Sequence, residues 1–361
     1  MKAAVLREVG KPITIEEVAI GKPGPREVLI RTKAAGLCHS DLHVIEGVLP
    51  FPLPTILGHE SAGIVEAVGS EVRTVKVGDH VVTCLSTFCG HCEHCLSGHM
   101  ARCSGAETRR REGEPPRLAE GGQPISQFVN LSSFAEQMLV HEHACTAIRK
   151  DMPFDRAALI GCAVTTGVGA VTHTAGVRPG ESVAVIGCGG VGLSCINGAA
   201  IAGAGRIIAI DTLGSKLNLA KEFGATDVID ARAGDPVQQV LDLTKGGVHH
   251  AFEAIGLKTT CEQAFKMLMV GGTATIIGLT GPGVNLELPA MNFFMERRIQ
   301  GSRMGSNRFP TDMPRYVDFY LAGKLKLDPM VSQHLRLEDI NRGFEDLKGG
   351  EIARSVILFD A

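Results

Sequence analysis

The chain has no tryptophan, two tyrosines and only 4% aromatic residues, which argues against a binding surface built from stacked rings. An excess of charge is missing as well. Lys and Arg number 36 against 39 Asp and Glu, a formal net charge of -3, so there is no basic footprint for nucleic acid or an anionic membrane. No apolar run reaches the roughly 20 uncharged residues of a spanning helix. The opening MKAAVLREVGKPITIEE lacks the apolar centre of a secretory signal. These absences describe a cytoplasmic protein whose partners are small molecules and copies of itself, with no nucleic acid and no membrane.

Glycine is abundant, with 44 residues in 361, and cysteine is frequent, with 11. Apolar residues make up 44% of a chain longer than one hydrophobic core usually supports, so two domains are expected. Eleven cysteines in a short secreted chain would suggest disulfides. Here the sulfurs concentrate in one cluster behind no signal peptide, and metal binding explains them better.

Residues 1–163 read as strands and turns, among them KAAVL, EVLIRTKAAG, SAGIVEAVG and DHVVT, punctuated by Gly and Pro. Residues 164–302 alternate strands with helices, through SVAVIG, RIIAID, KLNLAKEFGA, HHAFEAIG and TATIIG. That alternation predicts a doubly wound parallel sheet. Residues 303–361 are less regular and close on VILFD, a strand that returns to the first domain. The fold class is therefore α/β, a β-rich domain joined to a parallel-sheet domain. The polar stretch 108–124, with Arg109, Arg110 and Arg111, reads as a solvated surface loop.

In GCGGVG, residues Gly187, Gly189, Gly190 and Gly192 follow an apolar strand and open a helix. Gly187 permits the tight turn, Gly189 lets backbone approach a pyrophosphate, and Gly192 allows close helix packing. Asp211 ends the next strand, where a carboxylate accepts from both ribose hydroxyls and repels a 2′-phosphate, favouring NAD over NADP. Lys216, five residues on, either reaches the adenosine ribose or faces water.

Cys89, Cys92, Cys95 and Cys103 form Cys-x2-Cys-x2-Cys-x7-Cys, four soft ligands suited to one closed tetrahedral zinc. Such a site shapes a loop rather than performing chemistry, and an iron–sulfur cluster is the competing reading. His91, His94 and His99 sit among these cysteines, either as substitute ligands or as exposed residues of the lobe. A second set, Cys38, His59 and Cys162, is spread along the chain. Two thiolates and one imidazole leave a fourth zinc position free for water or an alcohol.

GLCHSDLH, GHE with the following Gly63, the four-cysteine lobe, IGC followed by TTG, and GCGGVG occur in the order and near the spacing of one family. The chain resembles the zinc-containing medium-chain alcohol dehydrogenases over essentially its whole length. The resemblance implies a GroES-like catalytic domain with a Rossmann coenzyme domain inserted, one catalytic and one structural zinc, and NAD. It implies Cys38, His59 and Cys162 as catalytic zinc ligands, Glu60 as a carboxylate that approaches the metal, and Asp41 as the partner that orients His59. Ser40 and His43 match the proton relay, Thr166 and Val191 the nicotinamide-holding positions, and Arg354 a pyrophosphate contact. His39 stands where the family often has Arg.

By position, Leu85, Phe128, Val129 and Leu279 line an apolar pocket for a medium-chain aliphatic or aromatic primary alcohol. A glutathione-dependent formaldehyde dehydrogenase would use an acid and an arginine where Leu49 and Glu107 stand. A nicotinoprotein with tightly held NAD and a non-catalytic NAD-binding module are the remaining alternatives. The family favours a homodimer, with a tetramer as the alternative.

Overall fold

A computed structural model describes residues 1–111, 113–350 and 352–359. Two compact units emerge. The first comprises Met1–Cys162, Arg308–Gly323 and Met330–Ala361, and the second Ala163–Asn307 with Lys324–Pro329. The stretch read as a single C-terminal return is therefore divided, with residues 303–307 and 324–329 belonging to the second unit.

The first unit is organised on the ten-residue strand Glu27–Gly36, which pairs antiparallel with Ser61–Val68, Gln137–His141 and the closing strand Arg354–Leu358. A smaller sheet pairs Lys2–Leu6 with Thr14–Glu17 and Thr55–Ile56. Apolar side chains from both chain ends meet in one core, including Leu6, Leu37, Ile56, Leu57 and Phe134 with Ile340, Phe344, Leu347 and Ile357. Each such burial contributes roughly 1.5–3 kcal/mol, so the C-terminal segment is held by packing as well as by strand pairing. A second cluster, with Val28, Ile30, Val65, Leu131, Met138 and Val140, lies elsewhere on the large sheet.

Two expectations are corrected here. Residues 108–124 are more than a solvated loop: Arg117 is buried, Leu118–Glu120 is a strand, and Arg110 turns inward to Glu27. Arg117 Nε donates to Glu27 Oε1 at 2.7 Å and Arg110 Nε at 3.1 Å, while the Gly24 N–H donates to Oε2. These donors outweigh the burial that disfavours the charge and hold the Glu27 carboxyl at about 2. The less regular C-terminal region contains a 13-residue helix, Phe309–Leu321, whose pattern Pro310 and Pro314 obscure.

The second unit holds six parallel strands. In chain order they are Ser182–Ile186, Arg206–Asp211, Asp227–Asp230, Val248–Glu253, Leu268–Ile276 and Arg298–Gly301, arranged 3-2-1-4-5-6 across the sheet. Ile, Val, Ala and Phe side chains from these strands and the flanking helices form its core. One helical run passes the length and composition test for crossing a membrane, although it carries Asp155 and Arg156. It is the helical stretch Phe154–Ala175, and 83% of its apolar window is buried inside the protein.

Candidate metal centres and coenzyme site

The four-cysteine lobe is built from a short helix, Glu93–Leu96, and a single turn, Met100–Arg102, joined by glycines with positive φ at Gly90, Gly98 and Gly105. Four sulfurs converge. Cys92 Sγ lies 3.5 Å from Cys95 and 3.7 Å from Cys103, and Cys89 Sγ lies 3.7 Å from Cys103 and 3.9 Å from Cys95. A tetrahedron with zinc–sulfur bonds of about 2.3 Å has edges of about 3.8 Å, so the set fits one zinc. Backbone N–H groups of Cys89 and Gly105 donate to Cys103 Sγ, and that of Cys92 donates to Cys89 Sγ. The backbone hydrogen bond from His91, with that from Cys92, draws the Cys89 thiol down to about 6. His91 is not part of the cluster: it faces Glu107 at 3.0 Å on the exposed side.

The second cluster is fully buried. One ligand atom each from Cys38, His59 and Cys162 lies within 4.8 Å of the others. Cys38 caps the helix His39–Ile45, where Asp41 Oδ2 accepts from its backbone N–H at 3.3 Å. Asp41 Oδ1 accepts from the Gly58 N–H at 3.0 Å and lies 3.1 Å from His59 Nδ1. One carboxylate thus sets both the helix start and the imidazole, and it leaves Nε2 facing the sulfurs. His59 Nε2 is buried with no hydrogen-bond partner, which is the condition a metal ligand requires.

Cys162 sits where its helix widens into a π-type turn, Ile160–Val164. Gly161 lets that turn approach, since a Cβ there would lie 2.8 Å from the Thr83 carbonyl oxygen. Hydrogen bonding from Cys162 holds Cys38 well below the ordinary thiol range and pushes Cys162 well above it. Burial lifts the neighbouring Glu60 carboxyl to about 8 against the pull of Arg354, whose Nε stands 3.4 Å from Glu60 Oε1. Arg354 is buried beside Glu60, and its Nη1 donates to the Ala353 carbonyl.

Ser40 and His43 lie three residues apart on the helix Cys38 caps, so they share a face. Ser40 Oγ is 3.9 Å from Cys38 Sγ, both Ser40 and His43 are partly exposed, and His39 is exposed. Phe128 is buried with its ring 5.8 Å from His59 and 5.0 Å from Phe51. The turn carrying it is strained, because Val129, Asn130 and Ser132 all have positive φ. Ser132 clamps the turn, accepting from the Phe128 N–H at 2.8 Å and donating to the Ile56 carbonyl at 2.6 Å. Leu85 packs against the Val28–Met138 cluster, and Leu279, in the second unit, is 56% exposed. Phe51 was missed by sequence reasoning; its only signal is an aromatic flanked by Pro50 and Pro52.

In the second unit, Gly189 caps the helix Gly190–Ile201 directly after the first strand. Gly192 admits no side chain, since a Cβ would lie 1.7 Å from the Gly187 carbonyl oxygen. Asp211 holds this turn. Its Oδ2 accepts from the Cys188 N–H at 2.7 Å, and Oδ1 from those of Thr212 at 2.7 Å and Leu213 at 3.0 Å. Thr166 is buried on the helix Thr165–Gly169, and Val191 is partly exposed. Lys216 is partly exposed on the helix Gly214–Glu222. Burial pushes Cys188 up to about 12, which removes it as a nucleophile.

Comparison with known proteins covers the whole chain. Residues 24–150 match the alcohol dehydrogenase GroES-like domain, and residues 190–321 the zinc-binding dehydrogenase domain. An S-(hydroxymethyl)glutathione dehydrogenase of Synechocystis is 39% identical over 99% of both chains. Alcohol dehydrogenase 1 of Pisum sativum is 36% identical over 99% of this chain and 97% of its own. The crystal structure of benzyl alcohol dehydrogenase from Acinetobacter calcoaceticus superposes with a TM-score of 0.93 at 33% identity, covering 99% of each chain.

Proposed function

The chain belongs to the zinc-containing medium-chain dehydrogenase/reductase family, and from that premise we propose that it interconverts primary alcohols and aldehydes with NAD. The observation that carries this reading is the buried trio Cys38, His59 and Cys162. It would supply three ligands to a zinc, with His59 Nε2 unpartnered, and a three-ligand set suits a metal left open to substrate. Zinc there supplies a Lewis acid, and NAD supplies the hydride acceptor.

The protein's own residues do the rest. Asp41 fixes the His59 tautomer and the start of the helix that carries Ser40. Ser40 takes the hydroxyl proton at Oγ, and His43, on the same helix face, passes it towards solvent. Buried Arg354, its Nε 3.4 Å from Glu60 Oε1, places positive charge beside the two sulfurs. Phe128 and Phe51 form an aromatic wall against His59, which supports an aromatic or medium-chain substrate. Asp211 supports NAD over NADP. Leu49 is exposed and Glu107 faces His91, which argues against a glutathione grip at these two positions, while the Synechocystis relative's name keeps the glutathione adduct as the second reading.

The test is a steady-state series of ethanol, hexanol, benzyl alcohol and S-(hydroxymethyl)glutathione, each with NAD and NADP, on the zinc-loaded protein. Benzyl alcohol with NAD should exceed ethanol by about tenfold or more in kcat/KM, on the order of 1.4 kcal/mol of wall contact. No NAD reduction with any primary alcohol would defeat the reading. All eleven cysteines are free, in keeping with a reducing cytoplasm. The exposed Met291 and Phe294 precede the edge strand Arg298–Gly301 and support a homodimer; light scattering at the mass of one chain would contradict it.

A further inference from the structure

A cavity of about 920 Å³ lies within the first unit, between residues 21–27 and the stretches 106–111 and 114–117 that follow the cysteine lobe. Six Lys and Arg side chains line it against three carboxylates, and they differ in how they are engaged. Arg110 and Arg117 belong to the frame, donating to Glu27 and to the carbonyls of Lys22 and Thr108. Arg26 Nε donates to Glu142 Oε1 at 2.9 Å. The three acids are engaged too. Glu27 is matched by two guanidinium groups, Glu107 faces His91, and Glu114 accepts from the Arg111 N–H.

Three cations remain. Lys22, Arg109 and Arg111 line the cavity as exposed residues, and among the described residues no hydrogen bond or ion pair holds their side chains. Nothing in the frame neutralises them.

His141 forms part of the same wall although it is only 6% exposed. Its Nδ1 accepts from the His143 N–H at 3.0 Å, and burial, helped by nearby His143, Arg26 and Arg117, pushes the imidazole down to about 4. The ring is therefore neutral and carries its proton on Nε2. Among the described residues that N–H meets no acceptor. A donor on so buried a side chain ordinarily has a partner, and the cavity is the side from which one can arrive.

Three unmatched cations and one neutral donor suit an anion with more than one charge. Guanidinium forks take the oxygens of phosphate or carboxylate two at a time, while an imidazole N–H donates to a further oxygen. The volume is that of a site for a metabolite-sized molecule rather than a single ion.

We propose that this cavity is a second binding site, for a small polyanion with two or more phosphate or carboxylate groups, held by Lys22, Arg109, Arg111 and His141 Nε2. The clamp of Arg110 and Arg117 on Glu27 already fixes the walls, so the ligand meets a formed site and little ordering opposes binding. The glycine turn belongs to the other unit, and the proposal does not depend on how that turn is read.

The test is calorimetry on zinc-loaded protein at about 0.1 M salt, with excess NADH present to keep phosphate out of the glycine turn. Fructose 1,6-bisphosphate probes for phosphate groups and tricarballylate for carboxylates. At least one should bind, the tighter of the two identifying the groups the site takes, and glucose 6-phosphate should bind about tenfold more weakly than the bisphosphate. Arg109→Gln combined with Arg111→Gln, both exposed and unpaired, should weaken polyanion binding by about tenfold or more, and His141→Phe by about threefold to fivefold. Lys221→Gln combined with Lys266→Gln removes the same charge from exposed positions of the second unit and should change affinity by less than about twofold. The comparison among variants holds whether or not NADH is bound. Binding of neither polyanion below about 10 mM, unchanged affinity in the double arginine variant, or an equal loss in the double lysine variant would overturn the proposal.

Discussion

The lobe and the buried trio use the same sulfur chemistry, and they differ in how far the chain travels to assemble them. Cys89, Cys92, Cys95 and Cys103 are near neighbours in sequence, three of them partly exposed, in a segment whose left-handed turns fall on glycines. Cys38, His59 and Cys162 come from a helix cap, a turn and a widened helix, all buried, beside a wall whose left-handed positions fall on Val129, Asn130 and Ser132. The lobe is assembled locally, with its left-handed positions on glycine, as suits a site that holds a shape. The trio needs the completed fold before its atoms meet, and that fold keeps a strained turn in place beside the reacting position.

The widest separation between the two should come from one substitution in each. Cys38→Ala should lower kcat/KM by about 1000-fold or more while thermal unfolding moves little, because an open metal position has lost a ligand. Cys103→Ser should do the reverse, lowering the melting midpoint by roughly 10 °C, since metal binding in a closed site is folding free energy. Zinc analysis should give one ion per chain in each variant. Equal loss of activity and stability in both would erase the distinction.

A smaller effect isolates what holds the lobe's exit segment to the sheet apart from metal. Glu27, clamped by Arg110 and Arg117, has its folded-state carboxyl at about 2 against an ordinary value of 4.5. Because the folded value is depressed, its contribution is complete above about pH 4.5 and is lost as pH falls towards 2. The limit is about 3 kcal/mol. Wild type should therefore be more stable than Glu27→Gln at pH 6, and denaturant titrations of the two should converge between pH 4.5 and 2. A constant gap over that range would place the stabilisation elsewhere.

The smallest effect concerns the strained wall. Val129 has φ 42° and ψ 37°, a region costly for a β-branched residue. Val129→Gly should raise stability by about 1 kcal/mol, read from the denaturant midpoint, and raise KM for benzyl alcohol as the wall loosens. A glycine variant that is less stable would show that the Val129 side chain contributes more by packing than its backbone costs.

These two regions also differ in how openly the sequence announced them. Four cysteines at short spacing confine their own sulfurs to one small volume, so the lobe is legible from spacing alone. Cys38, His59 and Cys162 are individually ordinary, and only the order of the surrounding motifs joined them. The parallel sheet was legible because buried strands alternating with helices leave a strong pattern, whereas Phe309–Leu321 was hidden by Pro314. Glu27 with Arg110 and Arg117 left no trace, since pairings across 83 and 90 positions impose no spacing. The inward turn of Arg110 within a run of three arginines shows the limit of reading charge as solvent exposure.

Asp211 is occupied before any coenzyme arrives. Its two oxygens already hold the N–H groups of Cys188, Thr212 and Leu213, so the carboxylate is aimed in advance and cannot swing aside. On the proposed reading of Asp211 as the ribose-binding acid, coenzyme choice and the shape of the glycine turn fall to one residue. Replacing Asp211 to admit a phosphorylated ribose would take the acceptor from the part-buried Cys188 and Leu213 N–H groups, at about 1–3 kcal/mol for each one left unpaired, while the exposed Thr212 N–H turns to water. A change of coenzyme in this protein begins by giving those two amides another acceptor.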